Sequence, residues 1–200
     1  MDDLARLKEQ ARKRAFAARK AAHAAACAGP GGKCDADGAD ARANRRLAAH
    51  LAELPDYRVI AGYMPIRTEI SPLAVMEALH ASGKIVVVPV IAGKGKPLLF
   101  SRWSPECAMI EGPFGAMVPA EADYLRPEVL IIPLVAFDRR GYRLGYGGGF
   151  YDRSIEMLTL AEEPHAVGLA YAAQELPEVP AGNNDRRLNA LVTEREVLRF

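Results

Sequence analysis

Two short apolar runs, Ile85 to Val90 and Val129 to Ile132, constrain this chain most. β-Branched residues dominate both, and neither holds a charged side chain. Runs this short suit strands covered on both faces, as in a parallel sheet whose crossovers lie above and below it. The segments around them alternate. Val59 to Tyr63, Leu98 to Trp103, Ala166 to Ala170 and Leu191 to Val192 read as further strands. Ser71 as N-cap with Pro72 at the first helical position predicts a helix reaching about Ala81. Asp152 to about Leu160 predicts another. Residues 104 to 128 are rich in Pro and Gly and read as irregular.

The first third is helical. Residues 2 to 26 hold no Pro or Gly and read as one long helix, with Leu4, Leu7, Ala11 and Ala15 as a narrow apolar stripe. Gly29-Pro30-Gly31-Gly32 ends it, and residues 27–40 are expected to form a loose, mobile loop. A second helix is expected from Ala41 to Leu54, stopped by Pro55. Strands alternating with helices predict an α/β chain with a mainly parallel sheet, in one domain over 1–200.

Composition narrows the partners. The 200 residues carry a net charge of +1, which gives no global field for nucleic acid or an acidic membrane. The longest apolar stretch, Val129 to Phe137, falls far short of the roughly 20 residues that span a bilayer. The first residues lack the shape of a signal peptide, so the expectation is a cytoplasmic protein. Cys27, Cys34 and Cys107 form no Cys-x-x-Cys pair and read as reduced thiols. Trp103, on an expected strand, is assigned to the core.

The chemistry concentrates in Arg143-Leu144-Gly145-Tyr146-Gly147-Gly148-Gly149-Phe150-Tyr151-Asp152-Arg153. Four glycines in five positions permit close backbone approach and the positive φ angles that turn N–H groups inward. Arginines bracket the run and a carboxylate stands near its end, a combination suited to a polyphosphate with a divalent cation. Bulky anchors at Leu144, Phe150 and Tyr151 separate it from a plain linker. A helix starting near Tyr151 would add its N-terminal N–H groups. The run is not a P-loop, for no Gly-x-x-x-x-Gly-Lys-Ser/Thr occurs. It is not a dinucleotide fingerprint either, because Phe150 stands where the third glycine belongs.

Other residues admit two readings. Asp152 is a magnesium ligand or a helix-start carboxylate; Asp185, in Gly182-Asn183-Asn184-Asp185, is a second ligand or a turn residue. Lys8 and Arg12 lie one helical turn apart and share a face, in a stretch with seven Lys or Arg among the first twenty residues. They form a solvated face or an anion grip. Glu69 is an exposed carboxylate before a helix or a buried acceptor.

Ile132-Pro133-Leu134-Val135-Ala136-Phe137-Asp138-Arg139-Arg140-Gly141-Tyr142 and the glycine run resemble the signature of the 5-formyltetrahydrofolate cyclo-ligase family. Lys8-x-x-x-Arg12, Tyr63 to Ile70, Leu99 to Trp103, Pro113-Phe114-Gly115 and Val179 to Asp185 resemble further family segments, in order. The resemblance implies a three-layer, Rossmann-like α/β fold. It also implies ATP- and magnesium-dependent cyclisation of 5-formyltetrahydrofolate to 5,10-methenyltetrahydrofolate.

On this reading Lys8 and Arg143 are catalytic. ATP meets Lys8, Arg12, Arg143, Leu144, Gly145, Tyr146, Gly147, Gly148, Gly149, Phe150 and Tyr151. The folate meets Met64, Glu69, Tyr146, Gly147, Gly148, Gly149 and Phe150, and Mg2+ meets Asp152 and Asp185. A monomer without nucleic-acid or membrane partners is expected. The chain departs from the family pattern at Phe150 (often Tyr), at Ala11 (often Leu), at Val118-Pro119 (often Glu-Pro) and in a longer 27–40 segment. Two alternatives stay open: a non-catalytic folate- or nucleotide-binding relative, and an RNA-binding protein using the basic first helix.

Overall fold

The computed structural model describes residues 3–27 and 38–200. Cys34 and most of the 27–40 loop expectation lie outside them. The first helix, α1, runs Asp3–Ala26, and α2 runs Ala39–Ala52. Strand β1 (Val59–Ala61) leads through α3 (Leu73–Ala81) to β2 (Ile85–Ile91) and β3 (Leu98–Arg102). A small hairpin of β4 (Met109–Glu111) and β5 (Met117–Pro119) precedes β6 (Val129–Pro133). A second hairpin pairs β7 (Ala136–Phe137) with β8 (Arg143–Leu144). Helix α4 (Phe150–Thr159), β9 (His165–Leu169), β10 (Ala190–Val192) and β11 (Val197–Arg199) complete the chain.

The main sheet has seven strands in the order β11-β10-β9-β6-β1-β2-β3. The five from β10 to β2 are parallel; β3 and β11 pair antiparallel at the two edges. The apolar runs alternate between its faces. Val86, Val88, Val129 and Ile131 point toward Leu47, Leu51 and Met76 of α2 and α3, together with Trp103. Val87, Leu130 and Ile132 point toward Ile155 and Leu158 of α4. This is the mainly parallel, three-layer α/β fold expected, and Trp103 is in the core as assigned.

Pro89 is tolerated inside β2 because β1 is three residues long. Its pairing with β2 stops at Val87, so Pro89 faces a ladder partner on the β3 side alone.

Several boundaries differ from expectation. Pro72 occupies the cap position of α3, one residue later than expected, and Ser71 Oγ accepts from Leu73 N–H at 3.4 Å. Helix α4 begins at Phe150, two residues before Asp152. Residues 104 to 128 contain the β4–β5 hairpin, turned through Gly112 to Ala116, where Gly112 N–H donates to Ala116 O at 2.8 Å. Its strands are too short and too broken by Pro and Gly to carry a periodic signal.

Gly168, in β9, sits where the sheet packs tightly against neighbouring leucines. A Cβ there would lie 2.7–2.8 Å from methyl carbons of Leu191, Leu134 and Leu188. Gly168→Ala is therefore expected to destabilise the protein by about 1–3 kcal/mol, the usual cost of overpacking a filled core. Equilibrium denaturation would measure it, and an unchanged midpoint would show that the three leucines yield.

Candidate active site

Strand β1 passes to β2 on one side through α3, while β6, beside β1, passes to β9 on the other through α4. The chain thus leaves two adjacent parallel strands in opposite directions. In such a sheet the carboxyl ends at this switch point are the usual place for a ligand crevice. Residues 62–70 line it from β1, and the β7–β8 hairpin with the glycine loop lines it from β6.

Helix α1 lies across this crevice. Ala11 and Ala15 pack against Val135, Ala136 and Leu144 of the hairpin region and against Val179. Alanine keeps the helix close, and the residues flanking that stripe reach inward. Lys8 Nζ donates to both oxygens of Asp185, at 2.8 and 2.6 Å. Arg12 Nε donates to Gly145 O at 2.8 Å. Arg19 is 1% exposed: its Nε donates to Thr68 Oγ1 at 3.0 Å and its Nη2 to the Tyr146 hydroxyl at 2.7 Å.

The hairpin that presents the glycine loop is pinned by Asp138, which is fully buried. Its Oδ1 accepts the N–H groups of Arg140 and Tyr142, and its Oδ2 accepts Val179 N–H and the Arg140 guanidinium. In the loop itself only Gly147 (φ 105°) and Gly149 (φ 62°) take positive φ, so the inward-turned backbone expected along the whole run is confined to those two. Arg153 Nη2 holds Gly148 O at 2.6 Å, with its guanidinium over the Phe150 ring.

At the loop's far end Arg143 Nη2 donates to Asp152 Oδ1 at 2.8 Å, and its Nη1 to Arg186 O at 2.6 Å. Arg186 N–H returns to the same Asp152 oxygen at 3.0 Å. Burial lowers the pKa of Arg143, while neighbouring Asp152 opposes the shift; the side chain remains a guanidinium at neutral pH. Burial likewise lowers Arg12, against the pull of Asp185. Lys8, Arg12, Arg143, Asp152 and Asp185 therefore gather at one end of the crevice, beside the N-terminus of α4.

The other end holds Glu69. Its Oε2 accepts Ile66 N–H at 2.9 Å, and its Oε1 accepts the Tyr146 hydroxyl at 3.0 Å with Arg19 Nη1 3.6 Å away. The turn that delivers it contains Arg67 at φ 56°, an uncommon conformation for a non-glycine residue. Burial raises the pKa of Glu69, and the Ile66 N–H, Arg19 and Tyr146 oppose it. Nearby, the Tyr151 hydroxyl is buried without a hydrogen-bond partner, and burial raises its pKa.

Met64, on the 62–70 segment, is half-buried and packs against the core cluster that holds Tyr63 and Ile70. Sequence reasoning missed Arg19, Phe16 and Thr68. Arg19 stands eleven residues after Lys8, about three helical turns, so helical spacing from Lys8 was the available signal. Among the described residues no group of three or more His, Cys, Asp or Glu gathers as a metal cage. No described helix is long and apolar enough to cross a membrane.

A family model described as the 5-formyltetrahydrofolate cyclo-ligase family matches residues 5–194. A 5-formyltetrahydrofolate cyclo-ligase of Haemophilus influenzae is 36% identical over 144 residues, covering 69% of this chain and 76% of that protein. One from Escherichia coli K12 is 34% identical over 147 residues, covering 69% and 79%. The NMR structure of Aquifex aeolicus 5,10-methenyltetrahydrofolate synthetase superposes with a TM-score of 0.70 at 28% identity, covering 96% of this chain and 92% of that one. With the family's model spanning nearly all of its length, the chain belongs to the 5-formyltetrahydrofolate cyclo-ligase family.

Proposed function

We propose that this enzyme converts 5-formyltetrahydrofolate to 5,10-methenyltetrahydrofolate with ATP and Mg2+, releasing ADP and phosphate. The observation that carries this reading is the convergence of Lys8, Arg12 and Arg143 on the glycine loop and the α4 N-terminus, with Glu69 at the crevice's other end. One end is suited to a polyphosphate and the other to a ring rich in N–H donors. The Tyr146 loop joins them.

The chemical difficulty is that an amide-like formyl oxygen is a very poor leaving group. Transfer of the γ-phosphoryl group to that oxygen makes it leave as phosphate once N10 adds to the formyl carbon and loses its proton. Positioning and charge stabilisation are the protein's contribution. Lys8, Arg12 and Arg143 would bind phosphate oxygens, and the loop backbone would approach them closely at Gly147 to Gly149. Lys8 and Arg143 would stabilise charge on the transferring group. Glu69 would orient the pterin.

The donor set also fits magnesium. Both described hydrogen bonds of Asp152 fall on Oδ1, leaving Oδ2 to bind a cation. Asp185 is held by Lys8 and by Gly182 N–H, and it becomes a second ligand when Lys8 turns to phosphate. Two carboxylates, completed by phosphate oxygens and water, are a usual set for Mg2+. When bound, the ion would neutralise charge on the phosphates.

The decisive test is an absorbance assay for the methenyl product with purified protein. Growth of its near-ultraviolet band should require both ATP and magnesium; no product from folded, ATP-binding protein would favour a non-catalytic relative. Arg12→Ala should raise the KM for ATP about tenfold or more while sparing folate affinity. An unchanged ATP dependence would remove Arg12 from the site.

Glu69 is proposed to act as a carboxylate. Because burial raises its pKa, falling pH protonates it before ordinary glutamates, and folate affinity should decline along that acid limb. Calorimetry across pH should show the decline in the wild type and its absence in Glu69→Gln, whose folate binding is weak throughout. An acid limb that survives in Glu69→Gln would assign it to another group.

A further inference from the structure

Arg19 is the least explained side chain in the crevice. Its guanidinium lies against the Phe16 and Tyr146 rings, 5.3 and 5.5 Å from their centroids. Thr68 Oγ1 fixes its Nε. Yet Nη1 is buried with no hydrogen-bond partner, 3.6 Å from Glu69 Oε1. A buried unpaired N–H costs about 1–3 kcal/mol, which a purely structural arginine would avoid.

The Tyr146 hydroxyl indicates what the arrangement recognises. It donates to Glu69 Oε1 at 3.0 Å and accepts from Arg19 Nη2 at 2.7 Å. One oxygen thus presents a donor to a carboxylate and an acceptor to a guanidinium, side by side. A cyclic amide edge, N–H next to C=O, presents the same pair. Tyr146 itself is 41% exposed and stands between Gly145 and Gly147, so the loop can carry its ring away while Arg19 and Glu69 stay anchored.

We propose that Arg19 and Glu69 form a two-residue reader of the pterin's amide edge, Glu69 accepting from N3–H and Arg19 donating to O4. The Tyr146 hydroxyl occupies that position when no folate is bound. This rests on the folate reading above and adds to it a specificity-determining residue. Arg19 supplies the donor half of the code, and Nη1 becomes satisfied when the carbonyl enters. A pterin bearing an amino group at C4 has the opposite polarity: its amino hydrogens face the guanidinium and the N3 lone pair faces the carboxylate.

The test compares calorimetric affinities for 5-formyltetrahydrofolate and its 4-amino-4-deoxy counterpart. Wild type should prefer the 4-oxo compound by about a hundredfold, as a site built around a hydrogen bond does. Arg19→Gln can turn its amide oxygen toward an amino group, so it should lose about 10- to 100-fold for the oxo compound and little for the amino one. ATP affinity should be unchanged. Equal loss for both compounds, or none for either, would overturn the proposal by making Arg19 structural or irrelevant. Tyr146→Phe gives an independent arm: without the competing hydroxyl, 5-formyltetrahydrofolate should bind about threefold to tenfold tighter, and weaker binding would overturn the stand-in role. Wild-type protein that binds ATP but not 5-formyltetrahydrofolate would instead overturn the folate reading itself, and this proposal with it.

Discussion

The closeness of α1 to the carboxyl ends of the sheet is the constraint on which the site depends. Ala11 and Ala15 are both buried, and their single methyl groups set the distance from the helix backbone to Val135, Ala136 and Leu144. A larger side chain at either position would lift the helix by a fraction of its radius. Three cationic residues on the same helix would then move away from their partners together, because a helix translates as a rigid body. The two ends of the crevice, proposed for polyphosphate and ring, are thus registered to each other by the packing of α1 on the hairpin. That registration is what an intramolecular ring closure driven by phosphoryl transfer requires.

The charges in the crevice are arranged as pairs that a substrate can divide. Lys8 rests on Asp185 and Arg143 on Asp152, each pair partly shielded from water. A bare polyphosphate would draw the cations and leave two carboxylates facing added negative charge. A polyphosphate carrying a divalent cation exchanges partners on both sides, so neither carboxylate is stranded. On the proposed reading, the ion pairs favour a metal-loaded nucleotide over a free one. They also neutralise Lys8 and Arg143 within the crevice.

The central strands were legible because each is an apolar run too short for a helix, and a doubly covered strand tolerates few polar residues. The hairpin strands and β11 were not. Strands β4, β5, β7 and β11 have two or three residues each, too few for a period to register. In the site, the glycine loop stood out by composition, and Lys8 with Arg12 by one-turn spacing. Arg19 did not, since it stands among six other Lys and Arg residues in the first twenty, and what distinguishes it is burial. Its partners Thr68, Glu69 and Tyr146 are 49 or more residues away, a relation that local pattern does not carry.

The Lys8–Asp185 pair joins residues 177 apart. It lies across the crevice like a clasp between the first helix and the segment that joins β9 to β10. A ligand seated there binds to the closed chain and not to fragments of it, so its free energy is felt by every strand between. Occupancy should slow the fraying of α1 as much as it orders the glycine loop. Resistance of the N-terminal helix to proteases then becomes a gauge of how full the proposed nucleotide end is, though that helix contributes no strand to the sheet.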